Sequence, residues 1–304
     1  MTWKTDFRSI YYEGAPEPAD PDLTPSTTAL LVIDVQNTYL ERPDRSKLLG
    51  DDLRRFDAWT PFHDRMHKVV LPRTAALLEL CRSKGIECLF ARIACHTKDG
   101  RDRSLSQKLP GWNNLLLPKD ETPSQLVEAI GPRGDEIVVT KTTDSALTGT
   151  NLRLILTNLG IKTVICCGIF TDQCVSSTVR SLADESFGVL VVEDCCAAGS
   201  MELHRKELEI INMIYCHVLR RAELEALLGI YREVLLKFFF EEFKPGLGDF
   251  CWAVIKESRV GVGRPHGYKL APDVFMSFRE VFEKHFLERL VLNVQGPLVQ
   301  KATT

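Results

Sequence analysis

The sequence predicts an α/β protein built on a mostly parallel sheet. Three observations carry that expectation. Short, continuous apolar runs recur along the chain, as in ALLVI at Ala29 to Ile33 and TVICC at Thr163 to Cys167. Such runs fit strands buried on both faces, since parallel sheets are covered by helices on either side. Segments of helical periodicity stand between them. The stretch from Thr163 to Cys196 shows the unit whole: a strand, a turn from Gly168 to Asp172, a helix carrying Val175, Val179, Leu182 and Ala183, and a second strand at Phe187 to Val192.

Residues 1 to 24 form a short N-terminal arm rich in proline and acid (GAPEPADPDLTP), expected to drape over the surface or a neighbouring subunit. Ala29 to Ile33 is the first strand and runs into Asp34. Residues 41 to 66 are polar and irregular and read as a surface excursion. Val69 to Ser83 reads as a helix with Leu77, Leu78 and Leu80 inward, stopped by Lys84-Gly85. Ile86 to Ile93 is the next strand. Residues 94 to 130 make a long connection, of the kind usually reserved for function, and Trp112, Asn113 and Asn114 fit a lid or an interface.

Glu136 to Thr140 is a strand ending at Lys141, followed by a short helix over Asn151 to Leu159. After the opening unit come a helix at Leu203 to Met213, a strand at Tyr215 to Leu219, and a helix from Ala222 to about Phe243. Residues 230 to 304 then read as a C-terminal helical extension. In it, Phe275, Phe278, Phe282, Phe286 and Leu290 share one helical stripe that needs a partner. GVGRPHG at Gly261 to Gly267 is not a dinucleotide fingerprint, because its third glycine is misplaced and no strand precedes it.

Bulk composition narrows the function. The chain has 304 residues and a formal net charge of −3, which gives no footprint for nucleic acid or an anionic membrane. No uncharged apolar run approaches the roughly 20 residues of a membrane span. The N-terminal MTWKTDFRSIYYEG lacks a signal-peptide core. Ten cysteines are present, yet no CxxC pair appears, and Cys166, Cys167, Cys195, Cys196 and Cys216 fall in or beside strands. A reducing, cytoplasmic setting follows as the expectation.

Chemically competent residues stand where strands end: Asp34, Lys141, and Cys174 just past a strand at the entry to a helix. Ligands in open α/β sheets bind at the carboxyl ends of strands, so these residues can meet in space. At a helix start the thiol faces unpaired N–H groups and the positive end of the helix dipole, which favour a thiolate. An acid, an amine and a thiol suit nucleophilic acyl transfer, with Asp34 taking the thiol proton, Lys141 holding Asp34 and the sulfur charge, and backbone N–H groups of the Gly168 to Cys174 turn forming an oxyanion hole. Taken singly, Asp34 could be a turn residue, Lys141 a solvated lysine and Cys174 a structural thiol; together they favour the functional reading.

ALLVIDVQNTYL, VVTKTTDSALTGTNLRLIL and GIFTDQCVSSTVRSLADESFGVLVVEDCCAA resemble the motifs of the isochorismatase-like cysteine hydrolases. The matching positions are Asp34 and Gln36; Lys141, Ser145, Ala146, Leu147, Thr150 and Leu152; and Gly168, Thr171, Asp172, Cys174 and Val175. The resemblance covers about residues 25 to 229 and implies a single hydrolase domain there, with a doubly wound, Rossmann-like sheet and a Cys174–Asp34–Lys141 triad. It also implies a cis peptide between Ile169 and Phe170, so that the oxyanion turn would comprise Ile169, Phe170 and Cys174. A homodimer or homotetramer is implied as well.

Within that family, DGRDRSLSQK and GWNNLLLPKD look most like the biuret, triuret and N-carbamoyl amidohydrolase branch. Substrate contacts are expected from Gln36, Tyr39, Arg92, Trp112, Asn113 and Tyr215. Nicotinamidases of the family carry an Asp-x-His metal motif; here His96 and Asp99 lack that spacing, so no metal or other cofactor is expected. Isochorismatases proper cleave a vinyl ether, generally without the cysteine, and Cys174 argues against that reaction. A nicotinamidase and a catalytically silent scaffold of the same fold stand as alternatives.

Overall fold

In the computed structural model, the residues described are 2–110 and 115–229. Six parallel strands form one sheet: β1 (Thr28–Ile33), β2 (Glu87–Ile93), β3 (Ile137–Lys141), β4 (Thr163–Ile169), β5 (Gly188–Ala197) and β6 (His217–Leu219), in the order β3-β2-β1-β4-β5-β6. This is the doubly wound order, in which the chain reverses direction across the sheet between β1 and β4. Every residue of β1 is buried. A strand buried at every position needs cover on both faces, which explains its unbroken apolar run. The helices that flank the sheet are α1 (Gly50–Arg65), α2 (Leu71–Ser83), α3 (Leu152–Asn158), α4 (Ser176–Asp184), α5 (Met201–Ile211) and α6 (Arg221–Leu227).

The expected irregular excursion at 41–66 is largely helical instead. A π-helical turn, Met66–Val70, joins α1 to α2, so a nearly continuous helical segment runs from Gly50 to Ser83. Pro72 explains the π turn: its ring cannot donate and crowds the carbonyl four residues back, and a wider turn relieves both problems. Only Phe62 and His63 of α1 are buried. The strongly polar composition hid so thin an inward stripe. The helix expected from Ala222 also differs, ending at Leu227 with Gly229 in the left-handed region at φ 75°.

The N-terminal arm docks on this domain. Trp3 is buried, and its N–H donates to Glu223 Oε1 at 2.8 Å. The carbonyls of Asp6 and Phe7 accept from Asn212 Nδ2 at 3.1 Å each. Between Cys166 and Gly168 of β4 the register against β5 shifts from Val191 to Cys196, which places Glu193 and Asp194 in a bulge. The bulge aims their carboxylates at Arg65 and Arg73. No helix among the described residues is long and apolar enough to cross a membrane. The C-terminal extension and its phenylalanine stripe lie outside the described residues.

Candidate active site

Asp34, Lys141 and Cys174 converge at the carboxyl edge of the sheet, beside the β1/β4 reversal. Asp34 follows β1 in the left-handed region at φ 53°. Lys141 closes β3, where it pairs in register with Ile93 of β2. Cys174 lies in a π-helical turn, Thr171–Val175, which leads from β4 into α4. Gly168 makes the approach of β4 to β1 possible. Its φ is 121°, and a Cβ there would lie 2.0 Å from the Ile33 carbonyl oxygen. The Ile169–Phe170 peptide is cis.

Lys141 Nζ lies 2.7 Å from Asp34 Oδ2 and donates to Cys174 Sγ at 3.3 Å and to the Thr143 carbonyl at 3.1 Å. Three partners use the three donors of an ammonium. Burial disfavours the Lys141 charge, but Asp34 and Cys174 outweigh it and hold its pKa above the ordinary lysine value. Burial pushes the Asp34 carboxyl up against the pull of Lys141. Burial, followed by the negative charge of Asp34, pushes the Cys174 thiol well above its ordinary value. The low-pKa thiolate expected from the helix start is therefore not the resting form. Desolvation outweighs the helix-end effect, and the thiol needs a base. Asp34 is suited to that role: it is close, and burial raises its proton affinity.

A pocket of about 350 Å³ opens over this group and exposes Asp34 and Cys174 at its floor. Volumes of this order hold small molecules. Phe170 is the hub of its aromatic wall, with ring centroids 5.3 Å from Tyr39, 5.9 Å from Trp59 and 5.1 Å from Phe62. The polar lining includes Thr38, Glu41, His63, Gln107, Asp144 and Gln173. Asp144 Oδ1 accepts from Gln107 Nε2 at 2.9 Å and lies 3.8 Å from Cys174 Sγ.

Of the expected substrate contacts, Tyr39 lines the pocket, and burial raises its phenol pKa. Gln36 does not line it. Its Nε2 donates to the carbonyls of Ile93 (2.9 Å) and Ser124 (2.8 Å), and its Oε1 accepts from Ile93 N (2.9 Å), so it is a strut beneath the site. Arg92 also points elsewhere, toward Gln125 Oε1 at 2.7 Å and Thr140 Oγ1 at 3.2 Å. Tyr215 packs under the Arg180 guanidinium at 5.2 Å, away from the pocket. Trp112 and Asn113 lie outside the described residues.

His96 and Asp99 also stay out of the pocket: the His96 N–H donates to Asp102, and Asp99 pairs with Arg101. No cluster of three or more His, Cys, Asp or Glu side chains able to hold a metal occurs among the described residues.

Sequence reasoning missed Trp59, Phe62, His63, Gln107 and Asp144. The spacing of Trp59, Phe62 and Met66 was a helical signal, overshadowed by Pro61 and the surrounding charge. Asp144 stands three positions after Lys141 and was legible only as part of a motif.

Behind the nucleophile turn, Thr171 Oγ1 lies 2.8 Å from His204 Nδ1. Nε2 of the same ring lies 3.0 Å from Arg65 and 3.4 Å from Glu193. This buried chain fixes the start of the turn from the β5 bulge and α5.

A doubly wound sheet with a thiol, an ammonium and a carboxylate gathered at its switch point defines a class of cysteine-centred α/β domain. The isochorismatase domain model matches residues 28–223, and the chain belongs to the isochorismatase family. A ureidoacrylate amidohydrolase of Acinetobacter baylyi is 29% identical over 206 residues, covering 66% of this chain and 82% of that protein. One from Methylobacterium radiotolerans is 30% identical over 222 residues, covering 70% and 85%. Among solved structures, an isochorismatase family protein from Burkholderia thailandensis superposes with a TM-score of 0.55 at 26% identity, covering 69% of this chain and 99% of that one.

Proposed function

We propose that the protein is a cysteine-dependent amidohydrolase cleaving a C–N bond of a small linear amide or ureide, of the biuret, triuret or N-carbamoyl kind. The observation that carries this reading is the Lys141 ammonium touching both Asp34 and Cys174 on the floor of a small pocket. The amidohydrolase relatives support the bond type.

Cys174 Sγ attacks the carbonyl carbon as its proton passes to Asp34. The carbonyl π bond becomes an oxyanion, held by backbone N–H groups of the 168–174 turn, Cys174 N–H among them. The oxyanion collapses, the C–N bond breaks, and Asp34 gives the proton to the departing nitrogen. An acyl-enzyme on Cys174 remains. Asp34 then takes a proton from water as the oxygen attacks the acyl carbon; the second tetrahedral intermediate collapses, the C–S bond breaks, and Asp34 returns its proton to Cys174 Sγ. Lys141 offsets negative charge on whichever of Asp34 and Cys174 carries it. Each oxyanion donor contributes about 3 to 4 kcal/mol in comparable sites.

The test is ammonia release from biuret, triuret, ureidoacrylate, N-carbamoylsarcosine, nicotinamide and an aliphatic amide, with wild type and Cys174→Ala. Turnover lost in Cys174→Ala, with a mass adduct on Cys174 after acid quench, supports the reading. Turnover that survives Cys174→Ala sinks it. Cytoplasmic residence is part of the same proposal, supported by nine unpaired, buried cysteines among the described residues. So is a homodimer or homotetramer, which light scattering reads directly.

A further inference from the structure

The charges of the pocket point to a substrate class narrower than the reaction type. Glu41 and Asp144 both line the pocket, in addition to Asp34 on its floor. No lysine or arginine lines it among the described residues. Beneath it lies Lys141, fully buried, with its donors taken by Asp34, Cys174 and the Thr143 carbonyl. Arg42 is not among the lining residues; it borders an adjoining pocket that shares Glu41, Trp59 and His63. Its guanidinium stacks at 3.5 Å on Phe56 and donates to the Phe56 carbonyl and Thr60 Oγ1.

His63 is 9% exposed, lines the pocket, and has a buried Nδ1 with no hydrogen-bond partner. Burial and then Arg42 lower its pKa, so the ring is neutral at neutral pH. It can therefore exchange a hydrogen bond with a substrate. The adjoining wall, centred on Phe170, is aromatic, and ring faces favour apolar or cationic groups over anions.

We infer that this pocket takes amides or ureides whose substituent is uncharged or cationic and apolar enough to lie against Phe170, Phe62 and Trp59, and that it rejects substrates bearing a carboxylate. The inference rests on the amidohydrolase reading and sharpens it. It sets this chain apart from the ureidoacrylate amidohydrolases it resembles, whose substrate, by its name, carries a carboxylate. An anion entering here meets Glu41 and Asp144 with no lysine or arginine beside it among the described lining residues, and like charges brought together are disfavoured. His63 and Gln107 would supply directional hydrogen bonds to the ureido group.

The experiment uses N-substituted ureas that differ only in the charge and bulk of the substituent: N-carbamoylglycine, its methyl ester, 2-aminoethylurea and benzylurea. kcat/KM is measured for each with wild type, Glu41→Gln and Asp144→Asn. Binding to Cys174→Ala is measured in parallel by calorimetry. We expect the ester, amine and benzyl compounds to exceed N-carbamoylglycine by about tenfold or more. Glu41→Gln should narrow that gap by about threefold or more by removing one repulsive charge.

N-carbamoylglycine equal to or better than its ester, in turnover or in binding, overturns the inference. An unchanged gap in both Glu41→Gln and Asp144→Asn overturns it as well. If no urea is hydrolysed, the amidohydrolase reading fails, and the binding order to Cys174→Ala still decides the charge preference. Absence of binding by the whole series counts against the inference.

Discussion

Replacing Lys141 by methionine keeps the length of the side chain and deletes its charge. Lys141 is fully buried, and its partner Asp34 has a 2% exposed side chain, so bulk solvent compensates little of the lost ammonium. Breaking a buried ion pair from one side costs about 3 to 5 kcal/mol, because the remaining charge is left uncompensated. At about 2 to 4 °C per kcal/mol for a domain of this size, Lys141→Met should melt about 6 to 20 °C below wild type. Asp34→Asn should also be destabilised, while Asp34→Asn with Lys141→Met removes both charges and should recover most of the loss. The assay is urea unfolding of all four proteins, with Cys174→Ala as a control because Lys141 also touches Sγ. Activity should fall in every variant that lacks Asp34 or Lys141, by about a thousandfold or more, since these residues act as a unit. A Lys141→Met protein within about 1 kcal/mol of wild type, or single-variant effects that add within about 0.5 kcal/mol, would refute the buried pair as described.

Gly168→Ala places a Cβ 2.0 Å from the Ile33 carbonyl oxygen at φ 121°, and β4 must move away from β1 to admit it. Such a change belongs with the large destabilisations, about 3 kcal/mol or more, and should abolish activity in whatever protein folds. Gln36→Leu removes three buried hydrogen bonds and leaves two carbonyls and an N–H unpaired, at about 1 to 3 kcal/mol each before relaxation. It should lower Tm; a KM rise with unchanged Tm would return Gln36 to the substrate. Burial lowers the pKa of His204, so the unfolded chain binds its proton more readily than the native one. The associated stability is present above the unfolded value and is lost as pH falls through it toward the native pKa. Denaturant midpoints should therefore decline below about pH 6.5, with a slope of at most about 1.4 kcal/mol per pH unit from this residue, and His204→Asn should flatten the decline. Thr171→Val, which cuts the contact between that ring and the turn, should lower kcat with little change in KM.

How much of this was legible in the sequence follows from what positions each residue. Asp34, Lys141 and Cys174 could be found because strands position them, and a buried parallel strand announces both itself and its end. The strand boundaries fell within a few residues for β1 to β4, whereas β5 runs on through a bulge to Ala197, which periodicity does not reveal. Gln36 was misassigned for a local reason. Asp34 takes a left-handed turn, and the chain beyond it swings the Gln36 amide toward Ile93 and Ser124 and away from the pocket. The pocket wall was hidden for a longer-range reason. Trp59, Phe62 and His63 stand on a helix whose only buried residues are Phe62 and His63, and Phe170 draws that helix over the thiol through contacts more than 100 positions apart in sequence. The groups proposed to react thus come from strand ends, and the pocket wall comes from a crossover helix and loops. Relatives that share the first set can differ freely in the second. Glu41 and Asp144 stand in that second set, on the pocket wall, where the proposed charge preference would have its physical origin.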